Sequence, residues 1–430
     1  MKRAFIDSTE ANVLAQSCVH FGFCTAVCPT YVLLGDELDS PRGRIELIKE
    51  IIANPTQPSQ KAIQHLDQCL SCMACMGTCA AQVNYSQLID HARYLIEESR
   101  QRAFHDRFFR SLLLFVLQRR WAFRWGLRCA MLLKSARIRL PGRLRHLLDL
   151  ASPPAASPSS VRRRVFPAAG TAVKRVALLV DCAPHVLMPQ VSSAAISLLT
   201  RAGCEVVVLP APRCCGALAL HLGKQRAAID NASATVLSVW SELQSNGLDA
   251  LLVTASGCGT TVKDYGHMLR NTPLKERART VAALTQDIAE FVETISVRYT
   301  SSLAELRVAY HDPCSLQFGQ KIREQPRALL RRAGYQVVDI PEAHFCCGSA
   351  GTYNLVKPEI AKDLGKRKAH NIQRTRADIV ATGNVGCIVQ ISRFIDAPVV
   401  HIIQLLDWAS GGRQPEEMRR LCASRPATKS

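Results

Sequence analysis

The sequence predicts a multidomain α/β fold, in which a mainly α-helical N-terminal domain precedes two repeated α/β units. The chain has 430 residues, 48% of them apolar, which is more than one hydrophobic core usually spans. Two cysteine-rich runs lie within the first 99 residues, and a set of four cysteines recurs in the second half. Strand-like and helix-like segments alternate around these later cysteines, as they do in parallel α/β sheets.

The N-terminal domain, residues 1–99, contains two runs of an iron–sulfur ligand pattern. In C-x₂-C-x₂-C-x₃-C-P each cysteine supplies a thiolate to iron, and the last one serves a second cluster. The second run has every cysteine, whereas the first has Phe21 at its second position. The matching residues are Cys18, Cys24 and Cys28 in the first run, and Cys69, Cys72, Cys75 and Cys79 in the second. Because the segments between the runs place apolar residues at helical spacing, we expect a mainly helical two-cluster ferredoxin domain with [4Fe–4S] clusters.

Whether the fourth cysteine of each run binds its own cluster or the other cluster decides which cluster Phe21 affects. If each fourth cysteine serves the other cluster, one set is complete and the other has three thiolates. The complete set is Cys69, Cys72, Cys75 and Cys28, and the three-cysteine set is Cys18, Cys24 and Cys79. Three thiolates can hold a [3Fe–4S] cluster or a labile [4Fe–4S] cluster with another fourth ligand; alternatively, no cluster assembles and the phenylalanine fills the space. We favour a cluster that is incomplete but present, and we do not expect His20 to replace the missing ligand.

Residues 100–149 form a basic amphipathic segment. Residues 100–147 hold 13 Lys and Arg against Asp106 alone, within a net charge of +19 for the chain. Aromatic residues and leucines recur there at helical spacing, which suits either an anionic membrane surface or two helices packed on a neighbouring domain. No zinc-finger spacing or RNA-binding aromatic motif accompanies the charge, so we expect no nucleic-acid partner. The Pro- and Ser-rich stretch Leu150–Ser160 predicts a linker over residues 150–172.

Two Cys-Cys-Gly units follow, at residues 173–300 and 301–420. Their cysteines correspond at offsets of 132, or 129 for the last one. They are Cys182, Cys214, Cys215 and Cys258 in the first unit, and Cys314, Cys346, Cys347 and Cys387 in the second. Each follows a predicted strand, so all can meet at one edge of a parallel sheet, and the glycine permits a turn that aims adjacent sulfurs at one centre. We expect a metal site in each unit, with either an iron–sulfur cluster or zinc bound by the four thiolates.

Several absences restrict the function. The N-terminus has no apolar core of a signal peptide, so the 18 cysteines suit a reducing cytoplasm better than disulfides. The longest clean apolar run, residues 112–117, is far shorter than the ~18 residues that span a bilayer. No G-x-G-x-x-G loop follows a strand and no P-loop is present, so substrate oxidation is expected on another chain.

The cysteine pattern resembles the iron–sulfur subunits of bacterial glycolate oxidase. The resemblance rests on CVHFGFCTAVCPTYVLLGDELDSPRGRIELIKE, on CLSCMACMGTC and on the two units with SGCG and HFCCGSAGTY. It implies that FAD-containing partner subunits oxidise glycolate to glyoxylate, while this chain passes electrons toward a quinone-type acceptor and has no catalytic residue of its own. Subunits of lactate, glycerol-3-phosphate and heterodisulfide oxidoreductases share the domain order, and the GDELDSPRGRIELIKE stretch favours glycolate. The location implied is cytoplasmic, with peripheral attachment to the inner membrane face as a further expectation.

The chain departs from the family pattern at one position and from the pattern of heterodisulfide reductases at two others. Phe21 stands where the family has cysteine, which makes one N-terminal cluster uncertain in type. Thr261 and Gln390 occupy the last position of the C-x-x-C found in heterodisulfide reductases, so a five-cysteine noncubane cluster and heterodisulfide chemistry are not expected.

The remaining polar candidates have ordinary structural interpretations. Histidines next to the second unit's cysteines could tune a cluster or donate protons, but hydrogen-bonded structural roles are favoured. Arginines after Pro41 could orient a cluster or contact a partner, or could start a helix in solvent. The candidates beside the second unit's cysteines are His311, Asp312 and His344, and the two arginines are Arg42 and Arg44. The remaining cysteines, Cys129, Cys204 and Cys422, are treated as ordinary thiols.

Overall fold

The computed structural model confirms the predicted fold class, a helical N-terminal region followed by two α/β units. It describes residues 5–136, 145, 147–149, 151, 165–180, 182–209, 214–300 and 306–418. Of the linker expected over residues 150–172, residues 150 and 152–164 lie outside the described residues, as does Cys422.

Seven helices make up the described part of the N-terminal region. They are α1 (Ser8–Gln16), α2 (Phe23–Val27), α3 (Pro29–Leu34), α4 (Pro41–Ala53), α5 (Gln60–Asp67), α6 (Ala74–Gly77) and α7 (Tyr85–Ser99). The two helices predicted between the cysteine runs are α4 and α5, and each begins at a serine whose hydroxyl accepts a backbone N–H. Their apolar faces bury Ile48 and Leu66 against Leu88 of α7. This packing fixes the loops that carry the cysteines.

The basic segment forms a helical pair, α8 (Phe104–Gln118) and α9 (Arg120–Ser135). One face of the pair is packed, with Phe123 and Leu127 buried in one apolar cluster with Val186. The opposite face is exposed and apolar, at i, i+4 spacing. Its members are Phe104, Phe108, Leu112 and Phe115 on α8, and Trp121, Trp125 and Leu132 on α9. In the part of the chain that the structure describes, no helix has the length and apolarity to span a bilayer.

The first α/β unit has a five-stranded sheet in the order β1-β3-β2-β4-β5, in which only β1 is antiparallel. Its strands are β1 (Val165–Phe166), β2 (Lys174–Leu179), β3 (Cys204–Val208), β4 (Ala250–Val253) and β5 (Thr285–Asp287). Its helices are α10 (Cys182–Leu187), α11 (Pro189–Arg201), α12 (Ala217–His221), α13 (Gln225–Asn246), α14 (Ser256–Lys263), α15 (Tyr265–Met268), α16 (Lys275–Leu284) and α17 (Ile288–Glu293).

The second unit has a four-stranded parallel sheet in the order β7-β6-β8-β9. Its strands are β6 (Arg307–His311), β7 (Gln336–Asp339), β8 (Ile379–Thr382) and β9 (Val399–His401). Its helices are α18 (Gln325–Arg332), α19 (Tyr353–Val356), α20 (Pro358–Arg374), α21 (Val385–Ile391) and α22 (Ile402–Ala409), after a π-helical turn at Ser315–Gly319. One continuous core joins the units, because residues of both sheets and of α11 and α22 belong to a single buried cluster.

Candidate metal centres

The cysteines of each α/β unit follow the carboxyl ends of its parallel strands. Cys182 begins α10 just after β2, and Cys258 lies in the first turn of α14 after β4. In the second unit Cys314 follows β6 and Cys387 lies in the first turn of α21 after β8. Parallel strands end at one edge, so this arrangement brings the cysteines of a unit together.

Each Cys-Cys pair lies on a turn that only glycine accommodates well. Gly216 and Gly348 have φ values of +97° and +88°, in the left-handed region. A Cβ on Gly348 would also lie 2.5 Å from the carbonyl oxygen of Ala361. The turn therefore needs glycine both for its backbone angle and for its close approach to the following helix.

Twelve of the fifteen predicted cysteine ligands line one cavity of about 600 Å³. They are Cys28, Cys69, Cys72 and Cys75 from the N-terminal region, with Cys182, Cys214, Cys215 and Cys258 and with Cys314, Cys346, Cys347 and Cys387. These are the complete ferredoxin set and both Cys-Cys-Gly sets. The three cysteines outside the cavity lining are Cys18, Cys24 and Cys79, the members of the three-cysteine set.

The complete ferredoxin set has hydrogen-bond donors aimed at two of its sulfurs. The hydroxyl of Tyr85 donates to Cys69 Sγ at 3.7 Å, and the Ser71 N–H donates to the same sulfur at 3.4 Å. Arg44 Nη1 donates to Cys28 Sγ at 3.8 Å. Donors to a thiolate stabilise its negative charge and therefore raise the reduction potential of a cluster that it binds.

Arg44 is buried, so the interpretation of this residue as part of a solvated helix start is wrong. Its side chain is 1% exposed and donates to the carbonyl of His65, the Thr30 hydroxyl and the Asp39 carboxylate, at 2.8, 2.9 and 3.1 Å. Arg42, by contrast, pairs with Glu37 at the surface. The sequence places these arginines two residues apart on one helix, and only the packing of α4 distinguishes their roles.

The three-cysteine set lies nearer the surface than the complete set. Burial is the main cause that raises the pKa of the Cys24 thiol, and the nearby Cys18 and Cys28 thiols raise it further. The Phe21 ring is 63% exposed and stacks on Phe23, with ring centroids 6.1 Å apart. The side chain that replaces the cysteine is therefore part of the surface and does not fill a buried space.

His20 pairs with a glutamate of α4. Its Nε2 lies 3.0 Å from the carboxylate of Glu46, and both side chains are about half exposed. The expectation that His20 does not replace the missing ligand agrees with this pairing.

The sulfurs of the second unit form a continuous group. Cys314 Sγ and Cys346 Sγ are 4.0 Å apart, and Cys347 contacts both Cys346 and Cys387. The N–H of Gly348 donates to Cys346 Sγ at 3.4 Å. In the first unit, Cys214 likewise contacts Cys182 and Cys215. Both units thus present clustered sulfurs to the shared cavity.

His311 lies against the second sulfur group. One of its ring nitrogens and the sulfurs of Cys347 and Cys387 lie within 4.8 Å of one another. Its Nδ1 is 3.0 Å from the Thr382 hydroxyl, whereas the buried Nε2 has no hydrogen-bond partner among the described residues. Burial, followed by the charge of Lys368, lowers the pKa of His311 well below its usual value. A buried polar atom without a partner costs about 1–3 kcal/mol, so Nε2 is expected to bind something.

Lys368 is a buried cation that the sequence analysis missed. It is 2% exposed, and its Nζ donates to the carbonyl of Glu342 at 2.9 Å. Burial lowers its pKa, and the nearby Cys347 and Cys346 thiolates raise it. Nothing in the helical pattern of α20 distinguishes this lysine from its exposed neighbours.

Asp312 and His344, the other candidates of the second unit, have structural contacts. Asp312 accepts two hydrogen bonds from Arg327, both at 2.7 Å. The His344 ring packs on Phe345 with centroids 4.3 Å apart. The favoured structural role agrees with these contacts for both residues.

Direct contacts connect the centres to one another. Cys72 and Cys346 belong to one buried cluster with Tyr353, whose hydroxyl donates to the Gln68 carbonyl at 2.9 Å. Between the two units, the hydroxyls of Ser256 and Ser315 are 2.7 Å apart, and these serines lie close in sequence to Cys258 and Cys314. The complete ferredoxin set, the second unit and the first unit are therefore consecutive neighbours.

The donor set fits iron–sulfur clusters or zinc. Burial raises the pKa of the Cys72 and Cys75 thiols well above their usual value, and neighbouring thiols raise it further. Thiolates crowded in such a place need bound cations to be stable. Four clustered sulfurs suit both tetrahedral zinc and [4Fe–4S], so the geometry alone does not select the metal.

Two protein families match separate parts of the chain. A 4Fe-4S dicluster domain matches residues 14–83, and a cysteine-rich domain matches residues 176–263 and again residues 308–392. These ranges contain all fifteen cysteines that the sequence analysis proposes as ligands.

The chain is also similar to proteins named as iron–sulfur subunits over nearly its whole length. It is 35% identical to the glycolate oxidase iron–sulfur subunit of Escherichia coli strain K12, over 93% of this chain and 95% of that protein. It is 31% identical to the probable glycolate oxidase iron–sulfur subunit of Bacillus subtilis strain 168, over 92% and 94%. Lactate utilization protein A of Oceanobacillus iheyensis is 26% identical and aligns with 54% of this chain and 96% of its own length.

A solved structure shares the fold. The crystal structure of a hypothetical protein from Helicobacter pylori superposes with a TM-score of 0.52 at 12% identity, covering 91% of this chain and 78% of that one.

Proposed function

The chain belongs to the family of glycolate oxidase iron–sulfur subunits, and on that premise we propose that it carries electrons from glycolate oxidation to a quinone-type acceptor. The family and the 4Fe-4S domain identify it as an electron-transfer subunit of an oxidoreductase. In the proposed complex, FAD-containing partner subunits convert glycolate to glyoxylate. Two electrons leave the flavin and pass singly through this chain.

The observation that carries this proposal is the row of neighbouring cysteine groups. Bound iron–sulfur clusters would supply one-electron redox chemistry, and the protein would supply their spacing and surroundings. In the proposed assignment, the complete ferredoxin set and the two Cys-Cys-Gly sets each hold one centre along the shared cavity. The three-cysteine set holds a further, incomplete cluster close to the surface.

A membrane surface is the proposed location of the acceptor. The exposed apolar face of α8 and α9 is continuous, because the Phe115 and Trp121 rings meet edge to face with centroids 6.0 Å apart. Arg119 and Arg128 lie over the Phe115 and Trp125 rings. A face of aromatic rings bordered by arginines suits insertion at the headgroup level of an anionic bilayer. The alternative expectation for this basic segment is packing on a neighbouring domain. It agrees with the opposite, buried face of the same helices.

Lactate is the second candidate donor. The family members named for lactate utilization align with little more than half of this chain, whereas those named for glycolate align with nearly all of it. The length and degree of similarity therefore favour glycolate.

The test is oxygen-free purification of the complete chain with its flavin-bearing partners, followed by metal analysis and donor assays. We expect iron and acid-labile sulfide, and quinone-analogue reduction that is faster with glycolate than with lactate or glycerol 3-phosphate. Partner subunits alone are the control, and they should reduce a flavin-accepting dye but no quinone analogue. Zinc without iron would overturn the electron-transfer role, and a faster reaction with lactate would overturn the choice of donor.

A further inference from the structure

The two Cys-Cys-Gly centres differ in their nitrogen donors. Counting by the offset of 132 that relates the units, His311 of β6 corresponds to Leu179 of β2. Both side chains lie at the ends of equivalent strands, and among the described residues it is in the second unit that an imidazole nitrogen lies within 4.8 Å of two cysteine sulfurs. The helix α20 also places Lys368 near these sulfurs, whereas α13, its counterpart in the first unit, contains no lysine.

We propose that His311, through Nε2, binds the metal centre of the second unit in place of one of its four cysteines. The proposal rests on the proposed function only in assigning a metal centre to this unit. It makes the second centre a site of three thiolates and one imidazole, while the first centre has four thiolates.

The position of the ring supports this assignment. The imidazole is 2% exposed, and one of its nitrogens lies within 4.8 Å of two of the sulfurs. The hydrogen bond between Nδ1 and the Thr382 hydroxyl fixes the ring plane, as second-shell partners do for metal-bound histidines. The other nitrogen, Nε2, is buried and without a hydrogen-bond partner in the described part of the chain, so it is available to a metal.

The side chain at the position of the last cysteine of a C-x-x-C makes hydrogen bonds within the protein. Gln390 occupies that position, and its amide donates to the Ala361 carbonyl at 2.9 Å. Its carbonyl oxygen accepts a hydrogen bond from Asn354 at 3.2 Å. Gln390 is thus committed to contacts within the protein, whereas Nε2 of His311 has no hydrogen-bond partner among the described residues.

A neutral ligand and a buried cation have the same electrostatic consequence. Replacement of thiolate by imidazole raises the reduction potential of iron–sulfur centres, and positive charge near the sulfurs acts in the same direction. The second centre is therefore expected to have a higher potential than the first, so that electrons would collect there.

The test is pulsed EPR on the full chain, purified without oxygen and reduced. One sample is grown with ¹⁵N-histidine and a matched sample with natural histidine. We expect a strong nitrogen hyperfine coupling that changes with the isotope of histidine. In His311→Leu, which introduces the leucine found at the corresponding position of the first unit, this nitrogen coupling should disappear while the iron content stays unchanged. His344→Gln, which alters a partly exposed histidine two residues from Cys346, is the control and should retain the coupling.

Three results would overturn the ligand assignment. In the first, the nitrogen coupling of the wild-type chain does not change with the histidine isotope. In the second, the coupling is only as weak as that of a hydrogen-bonded nitrogen. In the third, the coupling persists in His311→Leu. The isotope comparison needs no variant, so it decides the question even if His311→Leu does not fold. If the second centre holds zinc, X-ray absorption should show a nitrogen at about 2.0–2.1 Å beside the sulfurs. An iron-free chain would contradict the proposed function, whereas an iron-loaded chain without histidine coupling would contradict only this assignment.

Discussion

At the scale of single residues, we expect Phe21 to determine how many irons the N-terminal region can bind. Its side chain is exposed, so a smaller cysteine can replace it without leaving a cavity in the core. We expect Phe21→Cys to complete the ligand set, to convert a [3Fe–4S] signal in the oxidised EPR spectrum into a silent [4Fe–4S] cluster, and to add about one iron per chain. Iron analysis and EPR of the anaerobic protein measure both changes.

Phe23→Cys is the matched control for this substitution. Phe23 is 61% exposed and stacks on Phe21, but it does not lie in the ligand pattern. It should leave the iron content and the EPR spectrum as they are. Equal iron in both variants and in the parent chain, with no [3Fe–4S] signal in the parent, would contradict a three-iron cluster in the three-cysteine set.

Arg44 is expected to support both the fold and the potential of the neighbouring cluster. Removing it in Arg44→Leu leaves the buried Asp39 carboxylate without its guanidinium partner, which typically costs about 3–5 kcal/mol of unfolding free energy. The loss of the bond to Cys28 Sγ should also lower the midpoint potential of the cluster that this sulfur binds. Denaturant unfolding and a redox titration followed by EPR give the two quantities.

The neighbouring Arg42 provides the comparison. Its ion pair with Glu37 is exposed, so Arg42→Leu should cost no more than about 1 kcal/mol and should not move the potential. Similar losses for both arginines would contradict the role given to Arg44.

The sequence groups by spacing the fifteen cysteines that it proposes as ligands, but it does not identify the residues around them. Apart from Cys129, the cysteines that line the cavity belong to the complete ferredoxin set and to the two Cys-Cys-Gly sets, whereas Cys18, Cys24 and Cys79 are not among the lining residues. Arg44, Lys368 and the free nitrogen of His311 depend on which helix face is buried and on contacts between distant segments. A single sequence carries no local pattern for such contacts.

At the scale of elements, the Cys-Cys-Gly turn of the second unit is expected to tolerate no side chain. Gly348→Ala requires a left-handed backbone angle that costs about 1–2 kcal/mol for alanine, and it brings Cβ against the Ala361 carbonyl. The turn should shift and misplace Cys346 and Cys347. We expect lower thermal stability and loss of the metal bound by this unit, measured by calorimetry and metal analysis.

Gly35→Ala separates the effect of the left-handed backbone angle from the effect of the close contact. Gly35 has φ of +72°, but a Cβ there would meet nothing within 4 Å. It should show the backbone cost alone, with metal content unchanged. Full metal content in Gly348→Ala would mean that the close approach to α20 is not needed for the site.

The helical pair α8 and α9 is expected to bind anionic membranes through its exposed face. The double substitution of Trp121→Ser and Trp125→Ser removes two exposed aromatic rings while leaving the packed residues Phe123 and Leu127 in place. We expect co-flotation with vesicles containing phosphatidylserine to fall by at least tenfold in the double variant, and to weaken with added salt in the parent chain. Leu237→Ser, an exposed leucine on α13, should have no effect, and equal binding by the double variant would exclude this face as the membrane contact.

Elements with long periodic patterns were predicted well, and short elements were missed. The helices α4 and α5 and the strands β2, β3, β4, β6, β7 and β8 coincide with patterned segments of the sequence. The strands β5 and β9 have three residues each, and β1, with two, lies inside the expected linker. Such segments are too short to show an alternation, and pairing with a neighbouring strand defines them.

At the scale of the whole molecule, the chain is built around a shared set of sulfurs. Neither α/β unit stands alone, because a continuous core joins their sheets and their cysteines line the same cavity. The N-terminal region completes that cavity, with Cys72 packed beside Cys346. Electron transfer through the chain is therefore a property of the assembled domains, and interrupting one centre should separate the others.

Cys72 is the position that best tests this continuity. Its thiolate belongs to the complete ferredoxin set and adjoins the second unit, so Cys72→Ser should weaken or remove the cluster that is packed against the Cys-Cys-Gly centres. In the assembled complex we expect glycolate to reduce a flavin-accepting dye at the parental rate, while reduction of a quinone analogue falls by at least tenfold. Cys204→Ala is the control, because this buried cysteine begins β3 at the opposite end of the sheet from the cavity. Undiminished quinone reduction in Cys72→Ser, with that cluster shown by EPR to be absent, would mean that electrons bypass the complete set and that this set is not part of the electron path proposed for the chain.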